Sequence, residues 1–212
     1  MLFRSGPKLG PFKWIFKSPQ RSSVAVKRLY TYLKDKGLTK IALLTASDGF
    51  GKDGERWLTK LAPQFGLQVV TQESFGPRDT DMTAQLTKVK NAAPQAIVVW
   101  TIGPAGAIVS KNKAQLGIDL PLFQCHGLPD PKYIELAGSA CEGDRMPATK
   151  LMVADELPDA DPQKAVIKEF IRLYKERGYD EQFPINTHSG YAWDAIMMVA
   201  NAMEKAGTVA ED

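Results

Sequence analysis

Ile41-Ala-Leu-Leu-Thr45, Leu67-Gln-Val-Val70, Ala96-Ile-Val-Val-Trp100 and Pro121-Leu-Phe-Gln124 are four short apolar runs, and between them lie helical patterns at about 54–65, 81–92 and 104–116. Strands of this length alternating with helix-length segments predict βαβ units, hence a parallel sheet covered on both faces. Such sheets bind ligands in the crevice outside the carboxyl ends of their strands. In this chain those ends are Ala46-Ser47-Asp48-Gly49-Phe50-Gly51, Phe75-Gly76-Pro77-Arg78, Thr101-Ile102-Gly103-Pro104 and Cys125-His126-Gly127. Candidate site residues are sought there.

Working outward, a helix is expected over 20–35, with Val24, Ala25, Leu29, Tyr32 and Leu33 on its apolar face and Gly37 as its stop. Asp130-Pro131 opens the last helix of the repeated block, with Asp as cap and Pro in the first turn. A short strand is expected at Lys13-Trp-Ile-Phe16, broken by Ser18-Pro19. Residues 141–162 are rich in Pro and Asp and read as a connector with one extended run near 149–153. Two helices follow, over 162–177 and about 187–206. The second carries Tyr191, Trp193, Ile196, Met197, Met198, Val199 and Met203, apolar almost all round, a pattern that normally means burial. No strand follows to cover it. The expected architecture is therefore α/β: one complete, doubly wound lobe over 21–144, with 1–20 and 145–212 as parts of a second lobe, linked near 18–21 and 142–148.

Composition narrows the function. With 27 basic and 24 acidic residues mixed along 212 positions, the net charge of +3 is too balanced for electrostatic nucleic-acid binding. No apolar run approaches the ~20 residues that span a bilayer, and no signal peptide is visible at Met1-Leu-Phe-Arg-Ser. Cys125 and Cys141 are expected to be two free, buried thiols rather than a disulfide. Two His and two Cys at no ligand spacing give no metal site.

The sharpest enzyme-like signal is Gly49-Phe-Gly51-Lys-Asp-Gly54, a G-x-G-x-x-G after a strand, with Glu73 about 20 residues on. Three residues separate Thr45 from its first glycine, and Asp48 and Asp53 would set negative charge beside a pyrophosphate. The plainer expectation is a glycine-rich turn that lets the loop bend over the crevice before the helix begins. Phe50 projects from that turn, either as a packing anchor or as the cover of an apolar or aromatic ligand. His126, at a strand's carboxyl end, either holds its loop or offers a ligand a hydrogen bond or charge. His188 is expected to cap or face solvent. No nucleophile-and-base grouping and no pocket-facing carboxylate pair is legible, so no catalytic residue and no cofactor is assigned.

In order and spacing, Trp14-Ile-Phe, Ile41-Ala-Leu-Leu, Ser47-Asp-Gly-Phe-Gly, Asp79-Thr-Asp-Met-Thr-Ala-Gln-Leu, Ala96-Ile-Val-Val-Trp, His126-Gly-Leu, Leu136-Ala-Gly and Glu142-Gly resemble the type I periplasmic binding proteins. The branch they resemble is the leucine/isoleucine/valine-type receptors of ABC importers. The resemblance implies a two-lobed extracytoplasmic receptor, periplasmic in location, that closes on a small solute and presents it to ABC permease subunits. It places ligand contacts on Phe50, Ile102, Gly103, His126 and Gly127, and makes 79–81 a helix cap rather than a metal site. Amino-acid receptors of this kind usually carry Tyr where Phe50 stands and an acid near His126. A carboxylic or aromatic acid without an amine is therefore expected beside branched-chain and other small amino acids. The family's first strands have no counterpart here, so the chain alone is expected to bind weakly or not at all. A homodimer burying the last helix would cover its apolar surface. The other readings are a nucleotide-dependent enzyme using the Gly49–Gly54 loop and a ligand-sensing domain of the same fold.

Overall fold

The computed structural model describes residues 16–207. The strand expected over 13–16 lies almost wholly outside those residues. Two compact units are present: one contains Arg21–Pro147, the other 16–20 with 148–207.

In the first unit, β1 (Lys40–Ala46), β2 (Gln68–Phe75), β3 (Ala96–Trp100) and β4 (Leu122–Phe123) form one sheet in the order β2-β1-β3-β4. Every pairing is parallel, as the alternation of strands and helices requires. β3, and β1 from Ile41 onward, are buried because neighbours flank them and helices cover both faces. β2 is the edge strand. Its alternating exposure explains why Thr71-Gln-Glu-Ser74 stays in the strand despite its polarity, carrying β2 well past the apolar run 67–70.

α1 (Ser22–Asp35), α2 (Gly49–Leu61) and α5 (Pro131–Ala137) pack on one face, with Leu29, Tyr30, Leu33, Leu58 and Tyr133 against Ile41, Leu43, Val98 and Trp100. α3 (Thr83–Asn91) and α4 (Ala105–Gln115) pack on the other, with Met82, Leu86, Val89 and Val109 against Ala42, Leu44, Ile97 and Val99. The buried stripe of α1 is rotated from expectation. Val26 and Tyr30 are inside, whereas Val24 is 56% exposed, because the Tyr30 hydroxyl reaches inward to donate to the Leu58 carbonyl of α2 at 2.8 Å. β4 is prolonged by Arg145, whose N–H donates to Leu122 O at 3.0 Å while its carbonyl accepts from Gln124 N at 2.7 Å.

α2 begins five residues earlier than expected. The segment read as a glycine-rich turn is its first turn and a half. Asp48 caps it, accepting from Gly51 N at 2.8 Å, so a strong cap overrides the low helix propensity of three glycines.

In the second unit, 149–153 is not extended: Lys150–Glu156 is a 3₁₀ segment, kinked at Val153. α6 (Lys164–Glu176), α7 (Tyr179–Gln182) and α8 (Thr187–Ala206) follow. Phe170 of α6 is buried between Tyr174 and Trp193, both at 5.5 Å between ring centroids. Asn186 and Ser189 form a capping box on α8, and the Tyr191 hydroxyl donates to Gln20 Oε1. Beyond Trp193 the expected burial fails. Ile196 is 70% exposed and Val199 58%, since within this unit no element lies over that half of the helix.

Candidate functional site

The sheet order reverses between β1 and β3: the chain leaves β1 for β2 on one side, then crosses to β3 on the other. A crevice opens at such a reversal, outside the strands' carboxyl ends. The α2 start follows β1 there, the 101–104 turn follows β3, and residues 124–127 follow β4.

These three segments meet. A Cβ on Gly127 would lie 2.7 Å from Ile102 Cγ2 and 3.4 Å from Phe50 Cζ, so all three residues form one surface. The Phe50 ring lies 5.6 Å from His126 and 6.1 Å from Trp100, near-parallel to the indole, and Trp100 lies 5.3 Å from His126. Four of the five expected residues therefore surround one aromatic nest. Gly103, at φ +70° beside Ile102, supplies the left-handed turn that leads into α4.

Access is graded. Ile102 is 45% exposed and Gly103 is exposed, whereas Phe50 and Gly127 are half-buried. His126 is only 6% exposed, packed against Phe50 and Trp100. On this rim Ile102 and the turn at 103 are the most exposed of the five residues.

Trp100 is the residue that sequence reasoning passed over. It is wholly buried, and its indole N–H makes no hydrogen bond. A bulky aromatic closing an otherwise aliphatic strand was the available signal. Cys125 fixes the floor: its thiol donates to Thr101 O at 2.9 Å and its sulfur accepts from Gly127 N at 3.3 Å, tying the loops after β3 and β4 together. Burial pushes this thiol up to about 12, so it stays protonated and serves as a donor. Cys141 is also free but only half-buried, so the expectation of two buried thiols holds for one.

A model of the periplasmic binding protein family matches residues 5–212. The chain belongs to that family. Among the relatives of this periplasmic binding protein, a leucine-, isoleucine-, valine-, threonine- and alanine-binding protein of Pseudomonas aeruginosa is 26% identical over 92% of this chain and 48% of its own. A solved extracellular ligand-binding receptor of Rhodopseudomonas palustris superposes with a TM-score of 0.76 at 26% identity, covering 84% of this chain and 49% of that one. A leucine-binding protein of Thermotoga maritima shares the fold, with a TM-score of 0.73 at 23% identity over 89% of this chain and 51% of its own. The α/β fold with its parallel sheet is thus the type I periplasmic binding protein fold. The chain spans about half the length of the curated relatives it matches.

The same geometry gives two glycines of Gly49–Gly54 a packing role. A Cβ on Gly51 would fall 1.8 Å from the Ala46 carbonyl oxygen, and one on Gly54 would fall 2.1 Å from the Trp100 ring. Both glycines let α2 seat on β1 and β3. Asp81 accepts from Thr83 N at 2.8 Å at the start of α3, and Asp79 accepts from Gly76 N at 2.7 Å. Among the described residues no group of His, Cys, Asp or Glu has the makings of a metal site. No helix among them is long and apolar enough to cross a membrane. An open groove within the second unit is lined by Leu151, Val153, Ile171 and Ile185, with Asp155, Glu156 and Lys175 exposed on its lip. No buried polar group points into it, so the rim of the first unit is the stronger candidate.

Proposed function

We propose that this chain is the solute-capturing part of an ABC importer and works outside the cytoplasm without catalysis. The observation that carries this reading is the convergence of Phe50, Ile102, Gly127 and His126 at the reversal point of a parallel sheet. Gly103 lets the 101–104 turn lie flat enough for a solute to approach its backbone. The first unit is one lobe of the receptor, and 16–20 with 148–207 belongs to its second lobe.

A solute touching both lobes would stabilise the closed arrangement that permease subunits recognise, a population shift driven by its differential affinity for that state. The Pseudomonas aeruginosa relative is named for binding leucine, isoleucine, valine, threonine and alanine, which supports a small amino acid or a comparable acid here. The rim narrows this further. Its aromatic wall suits an apolar or aromatic body. Asp48, between β1 and α2, accepts from Gly51 N as the α2 cap. α2 and α4 both begin at this rim, and the positive end of a helix dipole favours a carboxylate. A carboxylic or aromatic acid without an amine fits these features best.

The test is fluorescence titration of the chain with leucine, with a matched amine-free acid and with a nucleotide. Quenching by the acid ahead of leucine, and none by the nucleotide, supports the reading. Preference for leucine overturns the ligand class, and a response to the nucleotide alone overturns the function.

A further inference from the structure

Behind the rim, on the side of α4 and α5, three oxygens stand within hydrogen-bond distance of one another. Ser110 Oγ lies 2.7 Å from Asp144 Oδ2, Tyr133 Oη lies 2.6 Å from the same Oδ2, and Oγ and Oη are 2.9 Å apart. Each edge of such a triangle needs one proton. An ionised Asp144 leaves only two, those of the Ser110 and Tyr133 hydroxyls. If both point at the carboxylate, the edge between the hydroxyls has none. The alternative acceptor for Ser110, Gly106 O at 3.3 Å, would leave two edges empty. Gln124 does not fill the gap: its Nε2 donates from outside the triangle, to Gly106 O at 3.0 Å, Tyr133 Oη at 3.2 Å and Ser110 Oγ at 3.4 Å. A protonated Asp144 supplies the missing proton. All three groups then donate once and accept once around a closed ring.

We propose that Asp144 holds a proton in the folded lobe, and that the ring it closes with Ser110 and Tyr133 is a pH-sensitive latch. The latch fastens residues 141–147 to α4 and α5, and through the Arg145 pairing it also fastens the end of β4 that carries His126.

The surrounding groups bear on the proton in both directions. Burial raises the Asp144 carboxyl above its ordinary range, which favours the neutral form. The Tyr133 and Ser110 hydroxyls oppose this wherever they donate to the carboxylate, and Lys113 of α4 opposes it with its positive charge. From α5 the facing group is Tyr133, itself held up chiefly by burial. The turn before Asp144 brings Cys141, and its own segment carries Glu142 and Arg145. β4 presents only the neutral Gln124. With the folded-state value above the unfolded one, the folded lobe binds the extra proton between the two. Stability therefore rises as pH falls through the folded value and levels off below the ordinary ~3.9 of an aspartate.

The decisive experiment is carbon-13 NMR titration of the full chain labelled at the aspartate carboxyl carbons, with Asp144 identified by the signal lost in Asp144→Asn. A midpoint above that ordinary value supports the latch, and one at or below it overturns the proposal. Ser110→Ala separates ring closure from simple burial. Ring closure predicts that the midpoint moves down in the variant, whereas hydroxyls that merely solvate a carboxylate predict that it moves up. Should Asp144→Asn fold poorly, the wild-type carboxyl signal is assigned through its bonds to the Asp144 backbone, and the same midpoint decides.

Discussion

Gly54 of α2 and Trp100 of β3 are pressed together so closely that a single added carbon has no room: a Cβ on Gly54 would lie 2.1, 2.3 and 2.3 Å from three atoms of the indole. The pair sets how deeply α2 sits on the sheet, and therefore where Phe50, four residues earlier, meets the rim. Gly54→Ala gains roughly 0.5–1 kcal/mol of helix propensity. Against this stands an overpacking cost of typically 1–3 kcal/mol, at its upper end here because the indole is rigid and wholly buried. The clash wins. Urea denaturation should show a net loss of about 2 kcal/mol, together with a shifted Trp fluorescence maximum.

Asp48 places the other end of the same helix. Asp48→Ala removes the acceptor for Gly51 N, and losing such a cap costs about 1 kcal/mol. Asp48→Asn keeps the acceptor and should restore most of the stability, measured by denaturant midpoint.

Tyr30 has a signature at alkaline pH. Burial raises its hydroxyl above the ordinary tyrosine value, and its proton goes to Leu58 O. Above pH ~10 the unfolded chain sheds that proton while the folded chain keeps it, so stability falls as pH rises. Tyr30→Phe should cost about 0.5–1.5 kcal/mol at pH 7 and show a shallower decline above pH 10, read from melting temperatures across the range.

The two thiols should differ in reactivity. Cys125 is wholly buried, with its thiol pushed up to about 12, whereas Cys141 is half-buried. A thiol reagent at pH 8 should label Cys141 first and reach Cys125 only on unfolding, as mass spectrometry of the native and denatured chain would show. Labelling of Cys125 in the native state would mean that the loops at 101 and 127 separate readily.

Much of this architecture was legible in advance because periodicity reports burial. The runs at 41–45 and 96–100 could be nothing but central strands, and their flanking helices follow. Boundaries decided by single side chains were harder to read. Three glycines argued for a loop over 49–54, and only the Asp48 cap and the two close approaches, at Ala46 and Trp100, explain why that stretch is helical. The apolar run at 149–153 suggested a strand, yet it winds into a 3₁₀ segment, and among the described residues of its unit no strand is present to pair with it. The apolarity of α8 was read correctly, but burial needs a covering surface, which sequence periodicity does not reveal. At the rim, strand ends located Phe50, Ile102 and His126. That His126 is buried follows from ring packing with Phe50 and Trp100, contacts between residues far apart in sequence.

The central claim is that a small acid docks over the carboxyl ends of β1, β3 and β4. Amide chemical-shift mapping of the labelled chain, titrated with an aromatic carboxylic acid to millimolar concentration, tests it directly. Shifts concentrated at Phe50, Ile102, Gly103, His126 and Gly127, and abolished by Phe50→Ala, are the predicted result. Shifts confined to the groove around Leu151 and Ile171 would contradict it.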